Sequence, residues 1–200
     1  MAITNGYCTL AEVKAALRLT DNVDDTLLEN AIESASRRID GYTGRFFYKT
    51  SQTPITMYPY NEYLLFFPAD VATNSITIKV DTAANGTYAT TLTQGVDYLL
   101  EPTDVVLQSR PYLNARMVGG ATFPLFVTPS FPTVQVTAQW GWNTVPDDVN
   151  QACVLLAMRQ FARLNAALGV VGFADMAITV RAIDPDVRDL LSPYKMFGIA

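Results

Sequence analysis

The stretch from Val145 to Leu164 places the tightest condition on how this chain folds. Val145-Pro146-Asp147-Asp148 opens a helix whose next turns, Ala152-Cys153-Val154-Leu155-Leu156-Ala157-Met158, are apolar on more than one face. A helix packed along one side needs an apolar stripe only ~100° wide, whereas one apolar on several faces must be covered on several sides. In a chain of 200 residues that cover comes either from its other helices or from neighbouring copies. Pro146 suits the first helical position, where its missing N–H costs nothing. Asp147 and Asp148 lie where the helix dipole favours negative charge.

Two helices are expected before it. Thr9-Leu10-Ala11-Glu12 is a capping box that opens a short helix through Leu19. After a polar break at Asp21–Asp25, Asp24 or Asp25 caps a second helix. Its Leu28, Ile32, Ala35, Ile39 and Tyr42 recur at three- and four-residue spacing, and Gly41 and Gly44 end it. From Thr50 to Thr144 the composition changes: this stretch holds 8 of the 11 prolines and only 9 charged residues, which suits short strands and turns better than helix. β-like runs fall at Ile55–Tyr58, Tyr63–Phe67, Ser75–Val80, Thr87–Leu92, Tyr98–Leu100 and Thr133–Trp140, with Asn85-Gly86 the best hairpin signal. Past the long helix, Asn165–Phe173 reads as a loop and Ala177–Ala182 as a strand or extended arm. Asp184-Pro185-Asp186 caps a short helix, Val187–Leu191, stopped by Ser192-Pro193. The expected fold class is α+β: a helical bundle from residues 1–49 and 145–200, with an antiparallel β-rich insertion at 50–144.

The chain contains no histidine, which excludes Ser-His-Asp and Cys-His catalysis and histidine-based zinc sites. It has no phosphate-binding glycine loop and no calcium loop. Each acidic pair, Asp24/Asp25, Asp147/Asp148 and Asp184/Asp186, sits at a predicted helix start, where capping and dipole compensation account for it. No catalytic, cofactor-binding or metal-binding residue is therefore expected. Lys and Arg number 14 against 19 Asp and Glu, 14 − 19 = −5, a poor balance for gripping a phosphate backbone. Arg37, Arg38 and Arg45 form the one basic cluster. They read as a solvated helix C-terminus or, functionally, as a contact with a ring neighbour or an acidic surface. Tyr58, Tyr60, Tyr63, Phe66, Phe67 and Tyr98 read as β-core or interface residues rather than a sugar platform. Trp140 and Trp142 read as core anchors. Cys8 and Cys153 read as two reduced thiols; a disulfide between them requires an oxidising compartment. Met1–Leu10 lacks the basic start and apolar core of a signal peptide, and no apolar run reaches the ~18 residues of a membrane span. A soluble protein, made in the cytoplasm and binding no membrane, is the expectation.

Three blocks carry a family resemblance: Tyr7-Cys8-Thr9-Leu10-Ala11-Glu12-Val13-Lys14; Leu28 to Arg45, ending Arg38-Ile39-Asp40-Gly41-Tyr42-Thr43-Gly44-Arg45; and Trp140-Gly141-Trp142 through Val145-Pro146-Asp147-Asp148-Val149 to Arg163. A fourth runs from Gly169-Val170-Val171-Gly172-Phe173 to Ile183-Asp184-Pro185-Asp186-Val187. In this order they resemble the tailed-bacteriophage head–tail connector (adaptor, or head-completion) proteins. The resemblance implies a non-enzymatic virion protein at the neck, assembled in the bacterial host cytoplasm. It implies a ring, usually of twelve copies, that docks on the portal protein, extends the DNA channel without reading sequence, and presents a platform to the next neck or tail protein. Other phage neck or tail-completion proteins remain open as a nearer reading. From a different class, so does a glycan-binding or glycan-hydrolysing virion protein using Glu62 or Glu101. For the subunit interface, Arg37, Arg38, Arg45, Val154, Leu155 and Met158 are the expected residues. For portal docking, the apolar tail Leu190, Leu191, Tyr194, Met196, Phe197 and Ile199 is expected, with folding back onto its own bundle as the alternative.

Overall fold

The computed structural model describes residues 3–126, 131–165 and 184–196. In chain order its elements are α1 (Leu10–Leu17), α2 (Asp25–Thr43), β1 (Gln52–Met57), β2 (Leu64–Val71), β3 (Thr77–Val80), β4 (Thr90–Leu92), β5 (Tyr98–Glu101), α3 (Val105–Gln108), β6 (Tyr112–Met117), β7 (Val134–Gln139), α4 (Asp147–Asn165) and α5 (Pro185–Leu191), closed by a 3-10 turn at Ser192–Tyr194. The class is α+β, as the sequence implies. The chain divides into two compact units, Met1–Tyr48 with Val145–Ala200, and Lys49–Thr144.

In the helical unit α1 begins on a complete capping box: Thr9 accepts from the Glu12 amide, and the Glu12 carboxylate accepts from the Thr9 amide. The helix ends two residues sooner than expected because Arg18 turns left-handed, at φ 59°, and the Leu19 amide bonds back to the Lys14 carbonyl. α2 runs through Gly41 and stops at Gly44, whose φ of 70° favours glycine. It buries Leu28, Ala31, Ile32, Ala35 and Ile39 along one face. Pro146 proves to be the residue before α4 rather than its first, its carbonyl accepting from the Asn150 amide. α4 buries Val149, Ala152, Cys153, Val154, Leu156, Ala157 and Phe161. Its cover comes from α2 above all, then α5 and α1, so the chain's own helices enclose most of the apolar surface that the sequence left unassigned. The Gly169–Phe173 loop and the Ala177–Ala182 strand or arm lie outside the described residues.

The β unit holds two antiparallel sheets, ordered β1-β7-β3-β4 and β2-β6-β5. β7 shows the alternation its sequence implies, with Val134, Val136 and Ala138 buried and Gln135, Thr137 and Gln139 partly exposed. It pairs on one side with β1, whose Pro54 suits an edge strand, and on the other with β3. β3 and β4 form the expected hairpin. Its long loop is tied by the Asp81 carboxylate, which accepts from the Ala83 and Gly86 amides at 3.0 and 2.6 Å. Neither α3 nor β6 is legible in the sequence. β6 is the middle strand of its sheet yet carries Asn114 and Arg116, because both side chains meet Glu101 on the adjacent strand.

Candidate functional site

The helical unit is pinned by its irregular N-terminal segment. Tyr7, almost completely buried, donates its hydroxyl to Asp40 and accepts on the same oxygen from the Phe47 amide at 2.8 Å. Its own amide donates to Ser36 Oγ at 3.0 Å, and its carbonyl accepts from Asn150 Nδ2 of α4 at 3.0 Å. Burial first, then the Asp40 hydrogen bond, push the Tyr7 hydroxyl well above the ordinary tyrosine range; burial likewise raises Asp40. Tyr7 therefore joins α2, α4 and the chain after α2 at one point. Sequence reasoning missed this role, since nothing in the spacing distinguishes a tyrosine before a helix cap from any other.

Arg37 belongs to the same cluster. It pairs with Asp40 at 3.1 Å, donates to the Asn5 carbonyl at 2.9 Å, and lies over the rings of Tyr7 and Tyr48 at 5.6 and 5.3 Å. Because α2 continues to Thr43, Arg37 and Arg38 stand short of its last turn, which holds no basic residue, so the expected solvated helix end does not describe them. Arg37 is exposed, while Arg38 and Arg45 are half-buried. Of the expected interface residues on α4, Val154 is only 7% exposed and packs inward, whereas Leu155 and Met158 are half-buried. Gln151, Leu155, Met158 and Ala162 recur at four- and three-residue spacing, so they share one side of the helix, and all four keep solvent exposure.

The described part of the tail folds back on its own unit. Leu191 is 1% exposed and belongs to the core, which removes it from any surface. The Tyr194 ring meets Phe47 edge-on at 5.7 Å, and its hydroxyl donates to Asp148 at 3.2 Å. Lys195 lies 5.3 Å from the Tyr42 ring centre, and the Met196 amide donates to the Thr43 carbonyl at 2.8 Å. Leu190 and Tyr194 are half-buried and Met196 is 37% exposed; Phe197 and Ile199 lie outside the described residues. The acidic pairs do stand at helix starts, but Asp24 and Asp184 cap through position rather than through a side-chain bond. Asp25 instead pairs with Lys14 at 2.7 Å, and Asp184 pairs with Arg159.

In the β unit the six aromatics divide. Phe67 and Tyr98 are buried, whereas Tyr58, Tyr60, Tyr63 and Phe66 are exposed, so core packing describes only two. Burial alone pushes the Tyr98 hydroxyl up to about 12. Trp140 and Trp142 are core anchors, donating to the Thr53 carbonyl at 2.9 Å and to the Asp70 carboxylate at 2.7 Å. Glu62 is exposed. Glu101 accepts from Arg116 at 2.6 Å and from Asn114 at 2.8 Å, and the Arg116 bond above all holds its carboxyl below the usual range. A carboxylate so held is a poor proton donor, the reverse of what a glycosidase acid needs. Among the described residues no group of three or more His, Cys, Asp or Glu could hold a metal ion, and no helix is long and apolar enough to cross a membrane.

Residues 7–84 match the family model described as phage gp6-like head-tail connector protein. No curated protein sequence matches the chain. A chain from the neck of the empty GTA particle, computed with C6 symmetry, is 21% identical with a TM-score of 0.59, the alignment covering 100% of this chain and 95% of that one. One from the neck of the native GTA particle, computed with C12 symmetry, is 21% identical with a TM-score of 0.58, covering 100% and 94%. A third, from the virion of the native gene transfer agent (GTA) particle, is 23% identical with a TM-score of 0.58, covering 100% and 95%. At these identities the structural likeness is one of fold. Over residues 7–84 the chain thus carries the pattern of the phage gp6-like head-tail connector family, and over its full length it shares the fold of chains from gene transfer agent particles.

Proposed function

We propose that this protein is a structural subunit of a phage-type particle neck, forming a ring of twelve copies that docks on the portal and extends the DNA channel towards the next neck or tail component. The family match over residues 7–84 carries the reading. The full-length fold likeness to chains from particle necks computed with C6 and C12 symmetry supports it. A net charge of −5 suits a wall along which DNA slides without being held. The role is architectural rather than enzymatic.

Because α1, α2 and α5 cover most of α4, its apolar excess as a whole is not the interface. The Gln151–Leu155–Met158–Ala162 side is what remains for a neighbouring copy, with the half-buried Arg38 of α2 as a polar contact beside an acidic neighbour. Portal docking falls to Leu190, Tyr194, Met196 and the residues after them, since Leu191 serves the core.

Native mass measurement of the protein mixed with portal rings from its own particle tests this. A multi-copy complex, twelve subunits per portal ring, is expected. Leu155→Asp with Met158→Asp should prevent ring closure while leaving the melting temperature of the isolated chain within a few degrees. Removal of Phe197–Ala200, which spares the Tyr194 contacts, should weaken portal attachment. A chain that stays monomeric beside its own portal overturns the reading.

A further inference from the structure

The two cysteines, 145 positions apart in sequence, meet inside the helical unit. Cys8 Sγ lies 3.2 Å from Cys153 Sγ, both side chains are buried, and both are free thiols. The pair is held from both sides. Tyr7, the neighbour of Cys8, is bonded to Ser36 of α2 and Asn150 of α4, and Thr9 on the other side is fixed by the α1 capping box. Cys153 sits mid-helix in α4, with Ser36 Oγ 3.4 Å from its sulfur. Closing a bond of ~2.05 Å from this distance requires only about an ångström of side-chain movement. None of the contacts that define the neck reading uses these sulfurs.

We propose that Cys8 and Cys153 are a disulfide-competent pair that closes within the folded chain when it meets a disulfide oxidant, stapling the N-terminal segment to α4. The Cys8 S–H bond to Cys153 favours ionisation of Cys153, while the same bond and burial disfavour it at Cys8. The Cys153 thiolate attacks glutathione disulfide, breaking its S–S bond, and one glutathione leaves as thiolate. Cys8 then gives up its proton to solvent or to that thiolate and attacks the Cys153 sulfur, expelling the second glutathione. Two protein thiols are oxidised to one disulfide, and one glutathione disulfide is reduced to two thiols that carry the two protons. Burial of both sulfurs means the oxidant enters through local opening of the segment before α1, so the reaction is slow compared with that of an exposed pair. Closure suits a particle that leaves a reducing cytoplasm for oxidising surroundings. That setting rests on the neck reading; the chemistry does not.

The test is the mass of the folded full-length chain after overnight exposure to excess glutathione disulfide near neutral pH, followed by denaturation and alkylation. Loss of two hydrogens, no alkylation, and a proteolytic fragment joining the Cys8 peptide to the Cys153 peptide are expected. The melting temperature should rise by roughly 5–15 °C and return on reduction. Cys8→Ser should abolish both changes; should that variant not fold, the cross-linked peptide from the unsubstituted chain decides alone. Two alkylated cysteines, stable glutathione adducts, or disulfides only between chains overturn the proposal. Because the readout is on the isolated protein, these results stand apart from whether it forms a ring on a portal.

Discussion

The helical unit and the β unit solve the same problem, closing a core around buried polar groups, in different ways. The helical unit joins its elements through side chains far apart in sequence: Tyr7 to Asp40, Phe47 to Tyr7, Asn150 to Tyr7. The β unit satisfies its backbone through strand ladders, and its side-chain ties, among them Trp142 to Asp70, Trp140 to Thr53 and Thr133 to Pro124, are spread over many residues rather than gathered on one. Tyr58, Tyr60, Tyr63 and Phe66 stand outside, and Tyr60 and Phe66 meet edge-on at 5.3 Å on an exposed surface. The lesson is one of leverage. A single substitution at a hub should damage the helical unit, whereas the outer aromatics of the β unit can be removed with little loss of stability.

The largest expected effect is Tyr7→Ala, which removes a buried ring and takes away the hydroxyl that bonds both Asp40 and the Phe47 amide. Roughly 3–5 kcal/mol of stability should disappear, read by urea unfolding. A loss under about 1 kcal/mol would show that the hub is redundant and the contrast between the units false. At the other extreme, Tyr60→Ser with Phe66→Ser should cost at most about 1–1.5 kcal/mol, the worth of an exposed aromatic pair. A collapse of the β unit in that double variant would make those rings structural.

The smallest effect concerns the Glu101–Arg116 pair, whose side chains are 28% and 51% exposed. Arg116 holds the Glu101 carboxyl below its ordinary value, so the pair adds stability at neutral pH that is lost as pH falls from the unfolded-state carboxylate range through the lower folded value. Glu101→Gln should therefore cost less than about 1 kcal/mol near pH 7, and the difference from the parent should shrink towards zero on acidification. A difference that grows in acid would mean the opposite shift.

Local physics made much of the fold readable. The Thr9–Glu12 capping box, the spacing of Leu28, Ile32, Ala35 and Ile39, and the alternation along Val134–Gln139 each specify an element from residues close in sequence. β6 escaped because its polar residues make sense only beside Glu101 on another strand. The candidate surfaces were less legible. Arg37 looked like a helix-end cation, but it closes a cluster with Tyr7 and Asp40. Val154 and Leu191 read as available to partners in the sequence, but both are buried within the helical unit.

By itself the sequence determined the α+β class, the starts of the main helices and the resemblance to connector proteins, since all three rest on short-range patterns. Only the tertiary structure decided what covers α4, which of its described residues keep some exposure, and that Cys8 meets Cys153 at 3.2 Å. Such pairings follow from how whole elements pack, and periodicity within one element carries no information about the residue that will face it from another.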